Sequence, residues 1–165
     1  MINKQLKSIN PKDNSILNLW DIDSQSEIDI IINNTANAQS SWELLDLSSR
    51  INIIKELAYI IEQRSKELSI LMSDEMGKPI KQGLAELEKC VWLCNYFFEN
   101  AENFLVKKEI KSESYKSYVS YRPIGLVLGI MPWNFPFWQV FRFAVPTLIV
   151  GNGVLLKHAS NVQGC

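Results

Sequence analysis

The sequence predicts an α/β fold, and three observations predict it. Ile124 to Ile130 is a continuous apolar run, as expected of a strand buried on both faces, and Val154 to Lys157 is a second, shorter one. Between them, Phe137 to Val150 is helix-length and apolar nearly all round. Strand, helix and strand over about 34 residues make a βαβ unit, with parallel strands and a right-handed crossover. Upstream, apolar residues recur at helical spacing, so helices should pack against that sheet.

Taken in chain order, residues 2–8 and 15–20 read as short strands around the turn formers Asn10, Pro11, Lys12, Asp13 and Asn14. Ser26 to Trp42 reads as helix through Ile28, Ile31, Ile32, Thr35 and Ala38. Asp46 is a candidate N-cap, because its carboxylate can accept the free amides of a first turn. The helix it starts carries one stripe of Leu47, Ile51, Ile54, Leu57, Ala58 and Ile61. A third helical stretch runs from about Lys66 to Glu75 and stops at Gly77 and Pro79. A long helix follows from Ile80 to about Asn103, with Leu84, Leu87, Val91, Cys94 and Phe98 on one face. Residues 107–116 are polar with mixed charge, and Tyr115 to Arg122 reads as a strand. Two strands flanking Ser112, Glu113 and Ser114 would form a hairpin. In the last helix Pro146 should introduce a kink or end the regular part.

Composition narrows the function classes. The chain has 165 residues, 47% hydrophobic and 21% charged, with a net charge of -1, so nothing electrostatic points to nucleic acid or an anionic membrane. Arg142 is the only charge between Arg122 and Lys157, yet Pro132, Asn134, Pro136, Pro146 and Gly151 interrupt that stretch. No apolar run reaches the roughly 20 residues of a membrane span. The first residues lack a signal-peptide stretch. Cys90, Cys94 and Cys165 form neither a disulfide framework nor a metal-ligand spacing, so no metal is expected and a reducing cytoplasm is the expected compartment. Cys90 and Cys94 share a helical face and read as core residues, with a redox pair or half a metal site as the alternative.

In open α/β sheets, ligands bind beyond the carboxyl ends of the strands. Two segments lie there: Met131-Pro132-Trp133-Asn134 and Lys157-His158-Ala159-Ser160. Neither holds a Gly-x-Gly-x-x-Gly turn. Asn134 reads in two ways. Its amide can point donors into a dry pocket and stabilise an oxyanion, or it can close its loop through its own backbone. Lys157 and Ser160 can grip hydroxyls or a phosphate, or Lys157 is an ordinary exposed strand terminus. His158, the only histidine, reads as a loop residue before it reads as a catalyst.

The run Pro132-Trp133-Asn134-Phe135-Pro136 resembles the signature of the aldehyde dehydrogenase superfamily. It is preceded by Arg122-Pro123-Ile124-Gly125 and followed by Pro146, Gly151-Asn152 and Leu155-Leu156-Lys157, as in that family. Glu75-Met76-Gly77-Lys78-Pro79 also resembles it, and the similarity covers essentially the whole chain. Phe137 to Arg142 and Lys157 to Asn161 look most like the succinate-semialdehyde dehydrogenase branch. The resemblance implies a partial doubly wound cofactor-binding domain in which most of the sheet is missing. Residues 1–106 would be its N-terminal strands and helices, 107–122 part of an oligomerisation hairpin, and 123–165 the first βαβ unit. It implies NADP or NAD as cofactor, a small aldehyde as substrate, succinate semialdehyde among the candidates, and a homo-oligomeric parent enzyme. In the family a cysteine thiolate attacks the aldehyde, an asparagine matching Asn134 steadies the oxyanion, hydride leaves to the nicotinamide, and a glutamate activates water. Lys157 and Ser160 would hold the adenosine ribose, and Trp133 and Asn134 would line the cofactor path. Met131, Pro132, His158 and Ala159 complete the expected cofactor segments. In NAD-preferring relatives a glutamate commonly stands where Ser160 does, so its absence favours acceptance of NADP. The family's nucleophile and base lie farther along than Cys165. The expectation is therefore an oxidoreductase activity belonging to the parent enzyme, with a non-catalytic remnant as the alternative for these residues alone.

Overall fold

A computed structural model describes residues 5–165; residues 2–4 of the first predicted strand lie outside the described residues. Strands β1 (Gln5–Ile9) and β2 (Ile16–Asp21) pair antiparallel around the predicted turn. There Asn14 takes a left-handed φ of 61°, a conformation asparagine tolerates. Helix α1 (Gln25–Trp42) begins with a reciprocal capping box between Ser24 and Glu27. Its predicted apolar stripe is not covered by the described residues: Ile28, Ile31 and Ile32 are all exposed.

Helix α2 (Leu47–Met76) is capped by Asp46, whose carboxylate accepts from the Ser49 amide at 2.6 Å. It runs as one helix where the sequence predicted two stretches. The polar interval Glu62, Gln63 and Arg64 is an exposed turn of that helix and not a break, since only the opposite face must be apolar. Gly77 ends α2 in the left-handed conformation, and α3 (Ile80–Leu105) returns alongside. The pair packs closely where Gly83 meets Ser69 and Met72; a Cβ there would sit 3.1 Å from both side chains. Ile51, Ile54 and Ala58 of the predicted α2 stripe meet Cys94 of the predicted α3 stripe together with Leu93 and Ala101, which lay outside it.

The predicted hairpin is reduced to β3 (Lys108–Glu109) and β4 (Tyr118–Val119), two residues each. The strand expected over Tyr115 to Arg122 does not extend further, since nothing else in the described chain packs on this ribbon. Strand β5 (Leu126–Ile130), helix α4 (Trp138–Val150) and strand β6 (Gly153–Lys157) form the predicted βαβ unit, with β5 and β6 parallel. Two expectations need correction here. Of the two outcomes expected at Pro146, a kink or an end to the regular part, the end does not occur, since the helix continues to Val150. The β5 strand is not buried on both faces: Leu128 is 59% and Ile130 69% exposed, because β6 is its sole paired neighbour among the described residues.

Polar side chains from distant elements seat α4. Helix ends leave unpaired carbonyls and amides, and no side chain near its own N-terminus caps α4. At the far end, Trp42 Nε1 donates to Leu148 O at 2.8 Å and Arg50 Nε to Ile149 O at 3.0 Å. Gln39 Nε2 donates to Gly151 O at 2.9 Å, just beyond the helix. A cation at a helix C-terminus also suits the helix dipole. Val145 and Ile149 turn inward against α2 and α3. Among the described residues, no helix is long and apolar enough to cross a membrane.

Candidate functional site

The register of the parallel pair brings the two candidate segments together. Ile130 lies opposite Lys157, so both strands end at the same level, and the Met131 amide donates to Lys157 O at 3.1 Å. Residues 131–137 and 158–165 therefore leave the same edge of the sheet side by side. His158 ties them further. Its Nε2 lies 3.0 Å from Pro136 O, and its Nδ1 accepts from the Ala159 amide at 2.9 Å. Those partners place the ring proton on Nε2. The imidazole thus joins the two loops, a role the sequence did not show.

Asn134 is exposed, and among the described residues its side-chain amide has no hydrogen-bond partner. The alternative in which it closes its own loop is not what the structure contains. The dry pocket expected around it is not formed by the described residues either: Trp133 is 51% and Phe135 44% exposed. What is held is the Asn134 backbone. Lys78 Nζ donates to Asn134 O at 3.0 Å and lies 4.0 Å from the centre of the Phe135 ring. Lys78 is itself ion-paired with Glu86, and both are buried. The second Glu86 oxygen accepts from the Phe137 and Trp138 amides, each at 2.9 Å. That carboxylate is the missing N-terminal cap of α4.

A second buried carboxylate does the same for the other loop. Glu75 accepts from the Gly164 and Cys165 amides, each at 2.8 Å, and from the Ser8 hydroxyl, which in turn accepts from Trp20 Nε1. The end of α2, the turn after it and the second turn of α3 thus supply three charged residues, Glu75, Lys78 and Glu86, that grip the chain beyond both strands. The sequence reading missed them as site residues. It treated Glu75 to Pro79 as a helix break. A signal existed, since Glu86 shares its helical face with Gly83, Leu87, Cys90 and Cys94, and a charge on an apolar face needs a partner.

Lys157 and Ser160 are exposed at the exit from β6, and among the described residues Lys157 has no ion-pair partner. Met131 and Ala159 are half-buried and Pro132 is exposed. The three thiols are poor nucleophiles as placed. Burial pushes Cys90 well above the ordinary thiol range and Cys94 up to about 11. Burial and the Glu75 carboxylate raise Cys165.

Fold and geometry together define an α/β protein in which a βαβ unit brings two loops to the carboxyl edge of β5 and β6. Comparison carries this to a family. The aldehyde dehydrogenase family model matches residues 2–165, and the chain belongs to that family. It is similar to a probable succinate-semialdehyde dehydrogenase (NADP(+)) of Synechocystis sp., 39% identical over 97% of this chain and 35% of the relative. The succinate semialdehyde dehydrogenase (NAD(P)+) Sad of Escherichia coli is 37% identical over 96% of this chain and 34% of its own length. Among solved structures, succinic semialdehyde dehydrogenase from Streptococcus pyogenes, in complex with NADP+, superposes with a TM-score of 0.92 at 26% identity, over 96% of this chain and 35% of that one. An aldehyde dehydrogenase from Brucella melitensis biovar abortus gives 0.91 at 25% identity, over 96% and 33%. The chain spans about a third of the length of the relatives it matches.

Proposed function

We propose that these residues form the first βαβ unit and helical support of an NAD(P)-dependent aldehyde dehydrogenase, acting on a small aldehyde such as succinate semialdehyde. Residues 1–106 and 123–165 are read as parts of the cofactor-binding domain, and 107–122 as part of an oligomerisation hairpin that presents exposed Tyr115, Tyr118 and Tyr121. The observation that carries the reading is the convergence of the 131–134 and 157–160 segments at one sheet edge, with the Asn134 carbonyl held and its amide free. Names of the relatives support the substrate and the cofactor.

The residues present fit a dinucleotide: an unpaired cation and a hydroxyl at one strand exit, and an aromatic and a free amide at the other. The bound cofactor would supply a hydride acceptor. Lys157 and Ser160 hold the ribose hydroxyls or a 2′-phosphate, while Trp133, together with Met131, Pro132, His158 and Ala159, shapes the path between the loops. Asn134 donates to the oxyanion that forms when a thiolate adds to the aldehyde. Such a donor is worth about 10²–10³ in kcat.

Ser160 is uncharged, so Lys157 faces a phosphate without a competing anion. Two unit charges about 4 Å apart interact by about 4 kcal/mol at an effective dielectric near 20, which is enough to decide cofactor choice even after solvent weakens it. We therefore read the site as accepting NADP as well as NAD. The test joins this chain to the remaining two thirds of the Synechocystis relative. Asn134→Ala is expected to lower kcat about 10²–10³-fold. Ser160→Glu is expected to shift the kcat/KM ratio toward NAD by at least about tenfold. An unchanged ratio removes Ser160 from cofactor choice.

For the 165 residues acting alone, the thiols favour a second reading, a non-catalytic binding piece. All three free cysteines are held protonated at neutral pH, and a nucleophile must be a thiolate. The isolated polypeptide is expected to form no reduced cofactor from aldehyde. Turnover above a blank preparation, lost in Asn134→Ala, would overturn this.

A further inference from the structure

We infer that Lys78 and Glu86 are positioning residues for the Asn134 amide, acting as one buried clamp on the loop that carries it. The inference rests on the reading of Asn134 as the oxyanion donor. It starts from an expense. Lys78 is 5% and Glu86 3% exposed, and a buried ion pair seldom stabilises a fold more than apolar residues of similar size. Its contacts show what it does instead. The pair holds four groups between Asn134 and the first residue of α4. Lys78 takes the Asn134 carbonyl and the face of the Phe135 ring; Glu86 takes the Phe137 and Trp138 amides.

Holding the Asn134 carbonyl fixes the peptide plane that follows Asn134, and with it the direction in which Cβ leaves the backbone. The side chain beyond Cβ has no partner of its own among the described residues. Its aim therefore depends on the backbone clamp. His158 holds the same loop from the opposite side through Pro136 O. An oxyanion donor works only if it is aimed before the charge develops, within roughly 0.5 Å of the productive position. A neutral lysine replacement keeps the volume and loses the aim.

The test is a double-mutant cycle in the joined enzyme described above, comparing the parent, Asn134→Ala, Lys78→Met and the double variant. Lys78→Met is expected to lower kcat at least about tenfold while KM for NADP changes less than about threefold. In the Asn134→Ala background the same change is expected to lower kcat less than about twofold, because the group it aims is gone. NADP binding, followed by quenching of tryptophan fluorescence, checks that each variant is folded. If Lys78→Met does not fold, Glu86→Gln is read in the same cycle; it keeps an acceptor for both amides and removes the charge that orders Lys78. Equal losses in both backgrounds would mean that Lys78 acts on the fold and not through Asn134, and would overturn the inference while leaving Asn134 in place. Full kcat in Asn134→Ala alone would remove the donor itself, and this inference with it.

Discussion

The α2–α3 hairpin and the β5–α4–β6 unit both carry apolar faces in sequence, yet those faces end in opposite conditions. In the hairpin, Ile54, Met72, Leu87, Cys90 and Cys94 are almost completely buried. In the βαβ unit, α4 is anchored at both ends, while Leu128, Ile130 and Leu156 on its strands stand open. A helix pair satisfies its backbone internally and needs one apolar face covered. A parallel strand needs a paired neighbour on each side and a layer on each face. The first demand is met within the described residues and the second is not. Apolar residues in the two regions therefore differ in what they contribute, whatever their type.

That contrast can be broken most directly with identical truncations. Leu87→Ala is expected to destabilise the chain by about 2–5 kcal/mol, since the site is fully enclosed. Leu128→Ala removes the same atoms from a 59% exposed position and is expected to cost less than about 0.5 kcal/mol. Urea denaturation of the two variants measures both. Equal costs would mean that the strand face is covered in solution. A smaller effect is expected inside the βαβ unit. Gly129 lies where a Cβ would overlap the Phe143 ring of α4. Gly129→Ala is expected to cost about 1–3 kcal/mol, and Gly129→Ala with Phe143→Leu less than that. No cost in the single variant would place α4 farther from the strand than the structure does.

The smallest effect is read from pH. Cys94 has its thiol raised from 9.0 to about 11 by burial, and Cys90 is raised as well. A folded pKa above the unfolded one means that the native state holds the proton longer. The contribution to stability is then complete below about pH 9 and is lost as pH rises toward 11. Denaturation midpoints are expected to be flat from pH 7 to 8.5 and to fall above 9, less steeply in Cys94→Ala. At pH 8 an aromatic disulfide reagent is expected to spare Cys90 and Cys94 until denaturant is added. Rapid native labelling of either thiol would show that the helical hairpin opens.

The periodicities of the sequence were sufficient for the helical stripes of α2 and α3, the Asp46 cap, the order β5–α4–β6 and the two segments beyond its strands. Each of those depends on residues within a turn or two of one another, so the pattern is local. The same locality explains the errors. The stretch from about Lys66 to Glu75 read as a third helix because the apolar stripe ends at Ile61 and the polar residues at 62–64 interrupt it, although one solvated turn does not end a helix. Pro146 left a kink and a helix end both open because its effect depends on neighbours that hold the helix from outside. Likewise, Tyr115 to Arg122 read as a full strand of a hairpin, although strand length is set by what packs against it.

By itself the sequence determined which residues could be helix or strand, and which loops would stand at the carboxyl edge of the parallel strands. It did not determine what holds those loops. Glu86 reaches the α4 amides across about fifty positions, Glu75 reaches Gly164 across about ninety, and Arg50 reaches Ile149 across about a hundred. These contacts satisfy backbone groups that helix ends and strand exits leave unpaired. Any buried donor or acceptor nearby can meet that need, and the sequence does not say which. Only the folding of α2 and α3 into an antiparallel pair brings Glu75, Lys78 and Glu86 beneath the edge of the sheet. The tertiary structure therefore decided that a segment read as a helix break is the support of the candidate site.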